Sequence, residues 1–211
     1  MGGWYKKEIN SLDDFKGLRI RIPGLGGEVL KRLGATPVTK AGGEIYLALS
    51  QGNIDASEWV GPWNDLAFGF HNITKFYYTS AFHEPGAAIA AGFNLEVWNS
   101  FSPSDQAIIT AVAGDNYQKS LAEFNVRNAV SLKTLVEKHG VRLKTFSDDI
   151  MQNLLRTSDQ VMQEIARTDD LTKRRYNSYM DSRRAAMAWG AVADEPYLRA
   201  RRLEENFGPK L

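Results

Sequence analysis

Residues 14–38 read DFKGLRIRIPGLGGEVLKRLGATPV, and this stretch decides the fold class. Between residues 18 and 22 aliphatic side chains alternate with arginines, and a Pro-Gly pair follows. This pattern predicts a short strand with Arg19 and Arg21 on the face opposite the aliphatic side chains. A helix that ends at Gly34 follows, and TPVTK then predicts a second strand. The alternation of strand and helix indicates an α/β domain with a largely parallel sheet.

The same alternation continues beyond this stretch. GGEIYLALSQ predicts a helix, and a brief strand is expected at Ile54. ITKFYYTSAF, at residues 73–82, is rich in β-branched and aromatic residues and is typical of a strand. The apolar run after Gly86 predicts a further buried strand.

The character of the chain changes at Ser102. Ser102, Pro103 and Asp105 are typical of a helix start, and apolar residues then recur at helical spacing as far as His139-Gly140. A helix of ~36 residues would be about 54 Å long, so it must bridge two bodies or pack on a partner. Ser147 is expected to cap another helical region that runs through Met162 and toward Met187.

Composition excludes several classes of protein. The 211 residues are 43% hydrophobic and 24% charged, with a net charge of +1 and no cysteine. These values are typical of a soluble globular protein without a nucleic-acid partner, disulfides or thiolate metal sites. There is no run of 18 apolar residues, and MGGWYKKEIN lacks the apolar region of a signal peptide.

Arg21 is the first candidate site residue. It lies just before Pro23-Gly24, at the carboxyl end of a predicted strand, where ligands bind in open α/β sheets. Its planar fork matches a carboxylate. The alternative is an arginine on an exposed strand face, and Arg19 shares that face.

Glu58 and Glu84 form the second candidate constellation, because each follows a predicted strand and lies beside aromatic residues. They are compatible with a general acid–base pair, a site for a hard cation such as Na⁺, Ca²⁺ or Mg²⁺, or two unrelated surface carboxylates. A cation between them would allow a substrate carboxylate to bind nearby. Asp65 and His71 are assigned no ligand role, and the three histidines are too scattered for a local zinc signature.

Three blocks of the sequence carry a family resemblance. They are DFKGLRIRIPGLGGEVLKRLGATPV, GGEIYLALSQGNIDASEWVGPWNDLAFGFHN and KFYYTSAFHEPG. Together they closely resemble the solute-binding proteins of tripartite ATP-independent periplasmic (TRAP) transporters. EWVGPWND and HEPG are similar to the branch that binds 2-oxo acids and 2-hydroxy monocarboxylates.

The resemblance implies a set of site residues, a cofactor and partners. Arg21 would clamp the substrate carboxylate, with Glu58 and Trp59 beside the substrate. Glu58, Trp59 (through its backbone carbonyl) and Glu84 would hold a bridging Na⁺ or Ca²⁺. The implied partners are a small carboxylate, the TRAP membrane subunits and a second copy docked through C-terminal helices, all in the periplasm.

The resemblance also implies an α/β fold of two lobes that is incomplete here, with a long inter-lobe helix and C-terminal helices. Residues 1–84 would be a second-lobe unit, and 85–124 a strand and helix of an otherwise missing first lobe. Residues 125–172 would be second-lobe helices, and 173–211 a C-terminal helical tail. A truncated chain of this kind would expose an apolar surface at residues 87–98.

Two other functions stay open at this point. One is an enzyme that uses Glu58, Glu84 and His83 for metal-assisted chemistry on a 2-oxo acid. The other is an oligomeric remnant that binds no ligand. The absence of a legible nucleophile–base pair favours a binding protein over an enzyme.

Overall fold

The computed structural model describes residues 1–203, which form a mixed sheet with helices packed on it. The strands are β1 (Gly3–Tyr5), β2 (Arg19–Arg21), β3 (Thr36–Val38), β4 (Ala56–Ser57), β5 (Phe76–Tyr78) and β6 (Arg142–Lys144). The helices are α1 (Gly24–Arg32), α2 (Gly42–Ser50), α3 (Pro62–Phe68), α4 (Leu95–Ser100), α5 (Pro103–His139), α6 (Asp148–Ile165), α7 (Asp170–Val192) and α8 (Asp194–Arg202). Short 3₁₀ turns lie at Leu12–Phe15 and Phe70–Asn72. None of the described helices has the length and apolar character needed to cross a membrane.

The sheet has the strand order β3-β2-β4-β1-β5-β6. β2 pairs in parallel with β3 and β4, and β5 pairs in parallel with β6. β1 lies between β4 and β5 and is antiparallel to both. The strand–helix alternation was therefore predicted correctly, but the central antiparallel strand was not, and the brief strand expected at Ile54 lies at Ala56–Ser57 instead.

β1 joins the two cores of the protein, because its consecutive side chains enter opposite faces of the sheet. Trp4 packs into one cluster of buried residues and Tyr5 into the other, and each is at most 2% exposed. Trp4 stacks on Tyr77 of β5 with ring centroids 4.0 Å apart, and Tyr5 meets Tyr78 edge-on at 5.0 Å. This strand of three residues thus ties β4 and β5 to both cores.

Asp65 is a buried acceptor beneath this strand. Its carboxylate accepts hydrogen bonds from Nε1 of Trp4 (2.8 Å), the hydroxyl of Tyr77 (2.7 Å) and the backbone N–H of Gly61 (2.9 Å). Burial raises the pKa of Asp65, while the three donors act in the opposite direction. The carboxylate of Asp65 thus ties α3 to the sheet. The sequence assigned it no ligand role.

The predicted long helix is confirmed as α5, which has 37 residues. Ser102 caps its first turn through the N–H of Asp105, and Gly140 ends it with the left-handed φ of 64° that glycine adopts without strain. Its buried residues, Ser131 and Leu135, both lie in the last third of the helix. Most of its length is therefore exposed in this chain.

The strand predicted after Gly86 is wrong. Residues 87–94 form no strand and are exposed, with Ile89 88% exposed, and the next element is helix α4. Asn94 starts this helix by accepting hydrogen bonds from the N–H groups of Glu96 and Val97. An apolar run forms a strand only beside another strand, and none of the described strands pairs with these residues. The sequence predicted an exposed apolar surface at residues 87–98, and the structure agrees with it: Ile89, Phe93, Leu95 and Val97 are all exposed.

The C-terminal part is helical as predicted, but it is broken. α6 ends at Ile165, and Asp169 caps α7 by accepting from the N–H of Thr172. The helical region from Ser147 therefore does not continue to Met187 as one helix. Residues 204–211 of the predicted tail lie outside the described residues. The assignment of 85–124 to another lobe stays a prediction.

Replacing Asp65 with alanine should destabilise the fold strongly, because three buried donors would lose their acceptor. Each unpaired buried group costs about 1–3 kcal/mol, so we expect the free energy of unfolding to fall by at least about 3 kcal/mol. Urea unfolding followed by tryptophan fluorescence measures this change. The exposed Asp159→Ala on α6 is the matched control and should change the free energy by less than about 0.5 kcal/mol. Equal effects of the two substitutions would contradict the structural role of Asp65.

Candidate functional site

The topology brings the ends of three strands to one edge of the sheet. β2 and β4 are parallel neighbours, with Arg21 opposite Ser57, and the N–H of Glu58 donates to the carbonyl of Arg21 at 2.9 Å. β5 runs in the same direction as β4, because both are antiparallel to β1. The residues that follow β5, including His83 and Glu84, therefore leave the sheet at the edge where Glu58 lies.

Gly3 permits the close packing of β1 against this edge. Its φ is 107°, and a Cβ at this position would lie 2.9 Å from the carbonyl oxygen of Ser57 and 3.3 Å from Cα of Glu58. Both the backbone conformation and the close approach require glycine. The backbone that carries Glu58 is thus held directly against the central strand.

Arg21 is partly buried and turns toward Glu58. Its Nη1 donates to Oε2 of Glu58 at 3.2 Å and to the backbone carbonyl of Glu58 at 3.3 Å, and its Nε donates to the carbonyl of Lys40 at 3.2 Å. The two side chains of this ion pair are 12% and 10% exposed. Within residues 1–203, Nη2 of Arg21 makes no hydrogen bond, so one arm of the fork is free to bind an anion.

Arg19 differs from Arg21 in its ion-pair partner. It forms a two-point ion pair with Asp55, with Nε and Nη2 at 2.9 and 2.7 Å from the carboxylate oxygens. This pair lies on the exposed part of the strand face. The ambiguity between the two arginines is therefore resolved by position: Arg21 faces the candidate site, and Arg19 does not.

The Trp59 indole forms a platform beside Arg21. The guanidinium carbon lies 5.1 Å from the centre of the ring, within the range of a cation–π interaction. A Cβ on Gly42 would come within 2.5 Å of the ring, so the indole packs directly on the first turn of α2. The predicted metal contact through the Trp59 carbonyl stays a prediction, while the contact of its ring with Arg21 was not predicted.

Glu58 has an unusual protonation equilibrium. Burial raises the pKa of its carboxyl to about 7, the Arg21 guanidinium opposes this rise, and the nearby charge of Glu84 adds to it. A proton therefore competes with any cation for this carboxylate near neutral pH. The chemistry is that of a carboxylate whose charge is incompletely compensated in the ligand-free protein.

Glu58, His83 and Glu84 form a cluster that fits a metal ion. Each offers one ligand atom, and these atoms all lie within 4.8 Å of one another. Glu58 is buried, His83 is half-buried and Glu84 is exposed, so the cluster opens to solvent at one side. Two carboxylates match the oxygen ligands that Na⁺ and Ca²⁺ prefer. The structure thus brings together the two glutamates that sequence reasoning selected from positions 26 residues apart.

Some of the remaining buried polar groups lie at the candidate site, and others lie far from it. In the described part of the chain, Nε1 of Trp59 and both ring nitrogens of His83 are buried without a hydrogen-bond partner, and all three belong to the candidate site. His71 instead stacks on His139, with ring centroids 4.1 Å apart, at the far end of α5. Sequence reasoning placed His83 only in an alternative enzymatic role, although its position next to Glu84 was the available signal.

The carboxyl of Glu58 should titrate with a midpoint near pH 7 in the metal-free protein. Glu84→Gln removes a negative neighbour and should lower this midpoint, whereas Arg21→Met removes a positive neighbour and should raise it. Carbon-13 NMR of the glutamate carboxyls measures the midpoint, and the signal lost in Glu58→Gln identifies it. The exposed Glu137→Gln on α5 serves as the control and should leave it unchanged. A midpoint near the ordinary glutamate value would refute the electrostatic description of the site.

Comparison with known proteins places this arrangement in a family. Residues 1–169 match DctP, described as "Bacterial extracellular solute-binding protein, family 7". The chain is 43% identical over 136 residues to the monocarboxylate 2-oxoacid-binding periplasmic protein of Nostoc sp., which corresponds to 64% of this chain and 37% of that protein.

Solved structures agree in fold. A TRAP transporter solute-binding protein from Bordetella bronchiseptica, a mixed occupancy dimer with copurified calcium and picolinate, superimposes with a TM-score of 0.91 at 34% identity. The match covers 95% of this chain and 59% of that one. A TRAP periplasmic solute-binding protein from Pseudoalteromonas atlantica with bound sodium and pyruvate has a TM-score of 0.83 at 37% identity, covering 94% and 60%.

These matches confirm the predicted fold class and family, and they favour a binding protein over an enzyme. The chain spans 37% of the Nostoc protein and about three fifths of each solved structure. Because its matched region carries the sheet, the parallel strand ends and the site residues described above, the chain belongs to the DctP family of bacterial extracellular solute-binding proteins.

Proposed function

We propose that the protein is the solute-binding component of a TRAP transporter and acts in the periplasm. It captures a small 2-oxo or 2-hydroxy monocarboxylate together with Na⁺ or Ca²⁺, and it delivers the solute to the membrane subunits of the transporter. The named relative and the solved structures support this assignment, because they bind monocarboxylates or picolinate and two of them hold calcium or sodium.

The observation that carries the proposal is that the Arg21 guanidinium and the carboxylates of Glu58 and Glu84 lie at the same edge of the sheet. Arg21 has one free guanidinium nitrogen, and its partner Glu58 belongs to the cluster with Glu84. A substrate carboxylate that approached Arg21 alone would be repelled by both glutamates. A metal ion between the glutamates removes this repulsion and adds a positive charge on the side where the second oxygen of the substrate would lie.

We propose different roles for the site residues. Arg21 binds the substrate carboxylate, and the Trp59 ring holds the guanidinium in place from one side. Glu58 and Glu84 bind the metal, which a 2-oxo or 2-hydroxy oxygen can approach. No group in this arrangement is placed as an activated nucleophile, so the residues are described fully by binding and orientation.

Calorimetric titration with pyruvate tests the proposal directly. In potassium buffer we expect little or no binding without added metal and clear binding with added Ca²⁺ or Na⁺, because the metal compensates the charge of the glutamates. Lactate should behave in the same way, and acetate, which lacks the second oxygen, should bind more weakly. The absence of heat with every ligand and metal combination would contradict the proposed ligand class. Recovery of pyruvate unchanged after incubation would separate binding from turnover.

Substitution of Arg21 tests its assignment as the carboxylate clamp. Loss of one partner of a buried charged pair costs about 2–5 kcal/mol, so Arg21→Ala should weaken pyruvate binding by more than tenfold in the presence of Ca²⁺. Arg21→Lys keeps the charge and loses the fork, and it should weaken binding less. Retention of Ca²⁺ binding by both variants shows that the site is still folded. Undiminished pyruvate binding by Arg21→Ala would exclude the clamp.

We also propose that the protein forms a homodimer through its C-terminal helices. None of the residues of α7 is buried in the described chain, and Trp189 and Val192 are 68% and 71% exposed. Large apolar side chains at this exposure are typical of an interface. The dimeric state of the Bordetella bronchiseptica protein supports the proposal.

Sedimentation analysis tests this assembly. The chain of 23.6 kDa should sediment at twice that mass, and Trp189→Glu combined with Val192→Glu should shift it to the monomer. The control Val126→Glu changes an equally exposed apolar residue on α5 and should leave the dimer intact. A monomeric parent protein would contradict the proposal.

A further inference from the structure

His83 belongs to the cluster of Glu58, His83 and Glu84, but the proposed binding of substrate and metal does not use its side chain. One of its ring nitrogens lies within 4.8 Å of the ligand oxygens of both Glu58 and Glu84. Both ring nitrogens are buried, and within residues 1–203 neither has a hydrogen-bond partner. A buried polar atom without a partner is costly and calls for an explanation such as an absent ion.

The position of the His83 ring is held by packing. A Cβ on Gly26 would lie 2.9 Å from Cδ2 of His83, so the ring packs on a glycine in the first turn of α1. On its other side, the Phe82 ring lies 4.8 Å away, measured between centroids. The imidazole is therefore held beside the two carboxylates by contacts that involve neither of its nitrogens.

We propose that His83 is a nitrogen ligand that lets this site bind a divalent transition metal, Zn²⁺ being the most suitable probe. This inference rests on the proposed metal site. Imidazole is a preferred ligand of zinc and other first-row metals, whereas Na⁺ and Ca²⁺ select oxygen. The same cluster therefore offers two ligand sets: the carboxylates alone for a hard cation, and the carboxylates with His83 for a transition metal.

Distances indicate what each metal requires of the cluster. Two ligand atoms on one Ca²⁺ can be as far apart as about 5.2 Å, since each lies about 2.6 Å or less from the ion. Two ligand atoms on Zn²⁺ are at most about 4.2 Å apart, because each lies about 2.1 Å from it. The 4.8 Å spread of the cluster thus suits calcium as it stands, and zinc binding draws the three groups closer. Exposed Glu84 has room for this movement.

Arg21 weakens the binding of any metal ion at this site, because its guanidinium already compensates part of the charge of Glu58. A cation that binds Glu58 therefore shares this carboxylate with Arg21 or displaces the guanidinium from it. A nitrogen ligand is uncharged and is not paired with Arg21, so it adds affinity without this competition. The contribution of His83 should consequently be visible as a change in metal preference.

His83→Phe tests the inference, because it keeps a flat ring against Gly26 and Phe82 and removes both nitrogens. Zinc affinity, measured by competition with a chromophoric chelator, should fall by more than about tenfold. Loss of a group that only supports a metal ligand already costs about 10- to 100-fold, and His83 is proposed as a ligand itself. Calcium affinity, measured by calorimetry, should stay unchanged. The matched control His139→Phe removes another half-buried imidazole at the end of α5 and should leave both affinities unaltered.

X-ray absorption at the zinc edge gives an independent readout, since a bound imidazole produces outer-shell scattering. This signal should be present in the parent protein and absent in His83→Phe. Zinc affinity that is equal in the two proteins, or a zinc spectrum with oxygen ligands only, would overturn the role of His83 while leaving calcium binding intact. Failure of both calcium and zinc to bind would overturn the metal site itself. Zinc binding through His83 without calcium binding would support this inference and contradict the hard-cation assignment.

Discussion

The hydrogen bond from the Trp4 indole to the buried carboxylate of Asp65 is the interaction on which the site geometry depends. It ties α3 to β1, the strand that lies between the two strands that deliver Glu58 and Glu84. Adjacent strands lie about 4.8 Å apart, so one intervening strand sets the separation of β4 and β5 at roughly 10 Å. The two glutamates reach each other across this gap only through the short segments that follow the strands.

The candidate site is built around one internal ion pair, which the proposed substrate and metal would have to separate. Arg21 compensates part of the charge of Glu58 in a partly buried ion pair. Under the proposed function, binding replaces this internal pair with two new ones, Arg21 with the substrate and Glu58 with the metal. The net affinity is then the difference between similar electrostatic energies, which links the occupancy of one partner to that of the other.

Local chemistry explains which parts of the molecule could be predicted from sequence. The Ser102 cap and the Gly140 stop define α5 within a few residues, and the Arg19–Arg21 alternation defines β2. Arg21, Glu58 and Glu84 were selected because each ends or follows a strand, and the structure places all three at one edge. Their roles as clamp and metal ligands came from family resemblance and stay predictions.

Features that depend on distant partners could not be predicted in this way. β1 has only three residues, and it is a strand because β4 and β5 supply its hydrogen bonds. The run after Gly86 has the composition of a strand and lacks such neighbours among the described residues, so it forms no strand and is exposed. Likewise, the proximity of His83 to Glu58 depends on the path of the chain after β5, which no local pattern reports.

The placement of α5 has a mechanical consequence. Its buried residues, Ser131 and Leu135, lie in the last third, so within the described chain the helix is held nearer its C-terminal end. A rigid rod held in this way acts as a lever. With a rise of about 1.5 Å per residue, a tilt of about 5° at Ser131 moves Pro103, which lies 28 residues away, by roughly 3.7 Å. Because Trp63 of α3, four residues after Trp59, contacts Asn128 and Phe124 of α5, a small adjustment of the candidate site can be converted into a larger displacement at Pro103.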